Sequence, residues 1–380
     1  MNMKHEEIYF PKPNRPLIGL NGRFLVAQRT GVQRSAYWLF RSIIETASDF
    51  NFVLFTSAEE GRAPEWQRDN VRIVACSLAS QNVFRNHMWE QFSLPKLAME
   101  YGVQILHNPA NLAPVGYRGK SVVNIHDVCF LVEPSWFSWT FRMTYSFLVP
   151  RIAKNASVVI TNSNNSKNDI LEHLKVETSK VRFSYWAVDP LFFQFNSPYA
   201  LRDDQMLFVG SLEPRKNLSG LIEAFTLYRE KNPARKTKLL VVGCENPLFA
   251  NVNYNLGPYA SDVQFVGYID DMELARLYGR SKAFVYPSFY EGFGFPPLEA
   301  MAAGTPVITS WNSSLPEVVG DAAVLVNPAD PSDIANAIEN VLTSDEFAQY
   351  LITKGIERAH SFRWETVAHH SLSIYKELLK

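Results

Sequence analysis

The chain has 380 residues and only three cysteines, Cys76, Cys129 and Cys244, each within or beside an apolar run. An odd, scattered set is neither a disulfide framework nor a metal-ligand pattern, so reduced core residues of a cytoplasmic protein are expected. Charge of either sign is in balance, with a formal net charge of -1, which argues against bulk electrostatic attraction to nucleic acid or to a membrane. No run of about eighteen apolar residues occurs, so no transmembrane helix is expected. The opening stretch, Met1 to Pro16, has no apolar core of the kind a signal peptide needs.

What is present is an ordinary globular composition, 47% hydrophobic and 20% charged, at a length that suits two or three domains. Short apolar runs alternate with helical patterns: Leu17–Leu20, Phe52–Phe55, Val71–Val74, Gln104–His107, Ser121–Ile125, Ser157–Thr161 and Val181–Val188. After a polar, proline-containing stretch from Pro190 to Asp204 the alternation restarts at Met206–Gly210 and continues through Lys238–Gly243, Val263–Gly267 and Ala283–Tyr286. Such alternation predicts parallel sheets covered by helices on both faces.

The central stretch runs from Ala283 to Pro306. A buried strand leads into the loop Glu291-Gly292-Phe293-Gly294, then Pro296 and Pro297 mark a helix start and Gly304 its stop. A helix start beside glycines offers free backbone N–H groups to a phosphate. Glu291 and Glu299, with seven residues between them and on either side of it, suit hydroxyls rather than phosphate. Phosphate in the middle with hydroxyls around it describes a sugar nucleotide.

This string, EGFGFPPLEAMAAGTPVI, resembles the retaining glycosyltransferases of family 4, which have the GT-B fold. The resemblance implies two Rossmann-like domains facing across a cleft. It places an acceptor-binding domain at residues 1–190, a donor-binding domain at 204–361, and a final helix, 362–380, crossing back to the first domain. TGVQR around Gly31 resembles the family's loop over the donor diphosphate, with Ser35 where a tyrosine is usual. His126-Asp127 resembles its HD, which implies that His126 holds the sugar by its ring N–H or its carbonyl. Gly210, Pro214, Arg215 and Lys216 resemble GxxxPRKN, implying that Arg215 and Lys216 neutralise the leaving diphosphate. Ser211 departs from the arginine many relatives carry. Gly267 and Tyr268 stand where the family sets the nucleobase, Glu299 where it binds the ribose, and Glu291, with Gly292, Phe293 and Gly294, where it binds the sugar.

With no Asp-x-Asp tripeptide in the chain, no required metal or other cofactor is expected. The implied partners are a nucleotide sugar, with GDP-mannose first, and a glycan or polyprenyl-diphosphate-linked acceptor met at the inner face of a membrane. The aromatic stretch 134–147 fits either core packing, expected for most of it, or exposure for a few rings. Rival readings are a dTDP-rhamnose or UDP-sugar transferase, an epimerase, a glycan phosphorylase, a glycosidase with paired carboxylates, and a non-catalytic nucleotide-binding subunit.

Overall fold

The computed structural model describes residues 14–380 apart from 28–30, 80–81, 247 and 251. Two all-parallel sheets account for the alternation read in the sequence. The first has seven strands: β1 (Leu17–Asn21), β2 (Asn51–Thr56), β3 (Val71–Ala75), β4 (Ile105–Asn108), β5 (Lys120–Asn124), β6 (Val158–Thr161) and β7 (Val181–Phe183). They lie in the order β3-β2-β1-β4-β5-β6-β7. The second has six: β8 (Asp203–Val209), β9 (Lys238–Val242), β10 (Val263–Gly267), β11 (Ser281–Tyr286), β12 (Val307–Ser310) and β13 (Val324–Val326). Their order is β10-β9-β8-β11-β12-β13.

Helices cover both faces, so the central strands are apolar on both sides. Phe52 to Phe55 and Ala283 to Tyr286 are each fully buried. In each sheet the strand order reverses once, between β1 and β4 and between β8 and β11. The carboxyl ends of those four strands are therefore where a ligand crevice is expected.

The last expected strand is shorter than its apolar pattern suggests, since only Val181–Phe183 pairs, with β6. Beyond it Trp186 is fully buried beside Trp364 and Phe295, so burial in that run comes from packing between elements rather than from a sheet. The connection to β8 holds two short turns, Pro190–Gln194 and Tyr199–Leu201. The final helix, Trp364–Leu379, returns to the first sheet. There Tyr375 meets His107, Lys376 pairs with Asp49 at 3.1 Å, and Lys120 donates to the Leu378 carbonyl.

Of the three cysteines only Cys129 is buried; Cys76 is half-buried and Cys244 is exposed. The expectation of a core position fails for Cys244 because the apolar run of β9 ends at Gly243. A Cβ there would stand 1.8 Å from the Gly210 carbonyl oxygen, and the chain leaves the sheet at this point. The aromatic stretch divides. Phe141 and Tyr145 of a helix Trp139–Asn155 stack on each other and Phe141 on Phe137 just before it, while Trp139, Met143 and Phe147 on the helix's other side are exposed. Among the described residues no helix is long and apolar enough to cross a membrane.

Candidate active site

The loop after β11 carries the densest set of buried charges in the cleft. Ser288 Oγ and Tyr286 Oη both donate to Glu291 Oε1, at 2.7 and 2.8 Å. Lys216 Nζ donates to the same oxygen at 2.6 Å, and an Arg215 terminal nitrogen lies 3.0 Å from Oε2. Burial alone would raise the Glu291 carboxyl, but Arg215 and Lys216 hold it down to about 2. Lys216 is pushed below its ordinary value by burial and by Arg215, with Glu291 opposing. The result is an ionised carboxylate between two cations, all nearly dry.

Local structure sets this up. After β8 the chain makes the turn Pro214–Lys216, and Asn217 follows in the left-handed region at φ 57°. Its side chain caps the helix Leu218–Lys231 by accepting from Gly220 N at 3.3 Å. Arg215 is fixed by bonds to the Tyr290 carbonyl and to Glu213 Oε1, each at 2.6 Å. Its Nε–H is buried with no acceptor among the described residues. An unsatisfied charged donor at the end of β8 is suited to an anion.

Gly294, at φ 115°, turns the chain into the helix Phe295–Ala302. Its first residue is Phe295, so Glu299 lies in its second turn, one turn later than its place after Pro296 and Pro297 suggests. Glu299 is already partnered: Arg34, from the first domain, donates at 2.7 Å and also reaches Asp271 at 2.9 Å, while Tyr278 Oη donates at 3.2 Å. Burial pushes Glu299 up, with Arg34 opposing. Gly31 opens the helix Gly31–Thr46 that supplies Arg34, and among the described residues nothing lies within 4 Å of where its Cβ would be. Its loop neighbours Arg29 and Thr30 are outside the described residues. A narrow cavity at the domain boundary is lined by Gly31, Arg34, Ser35, Phe295 and Glu299. Gly210, Gly243 and Gly267 form a row across the ends of β8, β9 and β10, with Gly243 N donating to the Gly267 carbonyl at 2.9 Å. Tyr268 next to it is exposed.

His126 follows β5 and faces this loop from the first domain. Its ring is buried edge-on to Trp186, and Nε2 donates to the Pro109 carbonyl at 3.1 Å. Burial lowers it to about 4, so it is neutral at pH 7. The ring N–H is thus committed within its own domain, which leaves the carbonyl as the part directed to the loop. A Cβ on Gly292 would stand 3.0 Å from that oxygen and 2.7 Å from Asp127 Oδ2.

Around this point the two domains are joined by hydrogen bonds. Ser163 Oγ and Ser166 Oγ donate to the Gly292 carbonyl at 2.6 and 2.8 Å. Asn162, with its amide nitrogen turned inward, bridges the Gly292 and His126 carbonyls. Glu317 accepts from the backbone of Asn164 and Asn165, at 3.0 and 2.9 Å, at the start of the helix Asn164–Leu174. Of these groups, the roles of Tyr286, Ser288, Asp271 and Glu317 had no sequence signal, and Arg34 was legible only as part of TGVQR.

The two sheets, their facing carboxyl edges and the returning helix are the GT-B arrangement. The comparisons agree. Residues 192–358 match the family described as Glycosyl transferases group 1, and residues 29–191 match Glycosyltransferase Family 4. The chain belongs to the family 4 glycosyltransferases. It is 37% identical over 174 residues to an Escherichia coli O-antigen chain mannosyltransferase B, covering 45% of each chain. It is 29% identical over 278 residues to the E. coli serotype-specific mannosyltransferase WbdA, covering 69% of this chain and 34% of that one. The chain thus spans half or less of these relatives' own length. In structure it is similar to a sucrose-phosphate synthase from Thermosynechococcus elongatus, with a TM-score of 0.72 at 22% identity over 96% of this chain and 99% of that one. The Anabaena HepE protein, solved with UDP, gives 0.66 at 16% identity over 95% of this chain and 100% of that one. At those identities the likeness bears on fold alone.

Acid unfolding tests the charge cluster. Glu291 at about 2 against an ordinary 4.5 corresponds to about 3 kcal/mol of stability at neutral pH. Because the folded value is the lower one, that stability is complete above about pH 4.5 and lost as pH falls toward 2. Urea unfolding from pH 6 to 2.5 should show it, and the Glu291→Gln protein should lack that component.

Proposed function

We propose that this chain transfers a hexose or deoxyhexose, with mannose from GDP-mannose as first choice, onto a hydroxyl of a glycan or lipid-linked oligosaccharide, with retention at the anomeric carbon. The observation that carries the reading is the buried Glu291–Lys216–Arg215 cluster beside the helix start at Gly294. The names of two relatives, an O-antigen chain mannosyltransferase and a serotype-specific mannosyltransferase, support the choice of sugar, and the first of them the acceptor class.

Breaking the sugar–phosphate bond builds negative charge on the leaving diphosphate and positive charge on the ring carbon. In this reading Lys216, Arg215 through its unused Nε–H, and the N–H groups that open the helix Phe295–Ala302 stabilise the diphosphate. Gly31 lies over it. Glu291 holds a sugar hydroxyl, and its fixed negative charge faces the developing cation. Glu299 binds ribose hydroxyls, exchanging Arg34 for them, and the base rests by Gly267 and Tyr268. The His126 carbonyl meets the sugar from the opposite side. The leaving phosphate takes the acceptor's proton. The cationic charge comes from side chains, so no metal or other cofactor is required. The exposed Trp139, Met143 and Phe147, with Arg151 stacked on Phe147, suit peripheral contact at the inner face of a membrane where a polyprenyl-linked acceptor is held.

Thermal unfolding with GDP, UDP, dTDP and ADP, each with and without its common sugars and with EDTA throughout, tests the donor. A ligand at 100 times its Kd adds about 2.7 kcal/mol. The expected result is a shift with GDP and GDP-mannose that EDTA leaves intact. A shift with UDP or dTDP alone would move the donor to that class, and none at all would remove the reading.

A further inference from the structure

Across the cleft the first domain holds a polar cluster that the donor reading does not use. It lies at the carboxyl ends of β1 and β4, where the strand order of the first sheet reverses. Asn21 ends β1, Asn108 ends β4, and Glu90 comes from the helix Val83–Phe92. The Asn21 amide nitrogen donates to Glu90 Oε1 at 2.7 Å and to Asn108 Oδ1 at 3.0 Å. Arg23 Nε donates to the same Glu90 oxygen at 3.0 Å. Burial would raise the Glu90 carboxyl, but Arg23, His87 and Asn21 together hold it below the ordinary value, so it is ionised.

Two atoms are left over. Among the described residues Glu90 Oε2 has no hydrogen-bond donor closer than His87 Nδ1, a loose 3.7 Å away, and Asn108 Nδ2 has no acceptor, although the residues are only 1% and 0% exposed. Leaving a buried charged oxygen without a full hydrogen bond is costly, so such a pair points to a missing partner. One group accepts, the other donates, and both hang from the Asn21 amide. A hydroxyl has the matching chemistry, since it donates once and accepts as well. The carboxylate repels phosphate, so a neutral sugar fits better than a diphosphate. The way in is past His87, whose Nδ1 lies 3.7 Å from Oε2 and whose side chain is 35% exposed, and past Arg23.

We infer that Glu90 and Asn108, screened by His87 and Arg23, bind a hydroxyl of the neutral sugar that accepts the transferred residue. This rests on the glycosyltransferase reading above. The test is saturation-transfer NMR on the full chain with methyl glycosides of mannose, galactose, glucose, rhamnose and N-acetylglucosamine. GDP shifts are measured in the same samples, so failure of the donor reading and failure of this one are told apart. At least one glycoside should bind. Glu90→Gln, which keeps the shape and the bonds at Oε1, should weaken it about tenfold or more. His87→Ala, at the half-exposed mouth, should weaken it less, and neither variant should change the nucleotide shift. Binding of no glycoside, or full affinity in Glu90→Gln, would overturn the inference and leave a buried water as the partner. Loss of the nucleotide shift in Glu90→Gln would also overturn it, in favour of a structural role.

Discussion

Replacing Glu291 by alanine is expected to abolish transfer and to destabilise the second domain, and the two effects can be separated. The carboxylate accepts from Lys216, Tyr286 and Ser288 and pairs with Arg215 in a site almost closed to water. Alanine leaves Lys216 and Arg215 as buried like charges with one fewer counter-charge, a change of about 3–5 kcal/mol by analogy with other broken buried pairs. Glutamine keeps the shape and can still accept from Ser288, so its stability loss should be smaller. Yet glutamine does not carry the negative charge that faces the developing cation, and kcat should still fall by about 10²–10³. The pattern expected from kinetics and urea unfolding at neutral pH is therefore both variants poor in kcat, with glutamine destabilised less than alanine. A glutamine variant with wild-type kcat would remove Glu291 from the chemistry and leave it as a structural counter-ion.

What the sequence made legible was local. The strand Ala283–Tyr286, the glycine loop and the helix punctuated by Pro296, Pro297 and Gly304 are contiguous, and each rests on a rule a single stretch can satisfy. Arg215 and Lys216 were legible as charges at a strand end. What stayed hidden joins distant residues. Arg34 and Glu299 are 265 positions apart, and neither number nor pattern says that a helix of one domain supplies a guanidinium to the other. Asn21 and Asn108 likewise meet only because β1 and β4 are neighbours, and Glu90 reaches them from the helix Val83–Phe92. Tyr286 and Ser288 sat within the central motif, but uncharged residues in an apolar strand and a turn carry no signal of a bond to Glu291. The position of His126 was legible, while the ring's commitment to Pro109 depends on a loop folded back seventeen residues earlier.

That dependence on packing between domains sets up the second expected result, at Gly292. Its Cβ would stand 2.8 Å from the Asp127 Cβ and 3.0 Å from the His126 carbonyl oxygen. The Asp127 carboxylate can swing aside, but a Cβ and a backbone oxygen cannot. Gly292→Ala must therefore push the first domain away from the loop, and that strains the bonds from Ser163 and Ser166 to the Gly292 carbonyl. The donor-side groups Arg215, Lys216, Glu291 and Glu299 all belong to the second domain, so nucleotide binding should persist. Reacting atoms held across the cleft would be displaced, and a displacement near 1 Å can cost about 10² in rate. The expected outcome is a retained thermal shift with nucleotide and a kcat lower by about that factor. Gly116→Ala, whose Cβ would meet nothing within 4 Å, is the matched control and should leave kcat unchanged. If Gly292→Ala turned over normally, contact between the HD segment and the glycine loop would not be part of the working geometry, and the acceptor side would have to approach the donor by some other path.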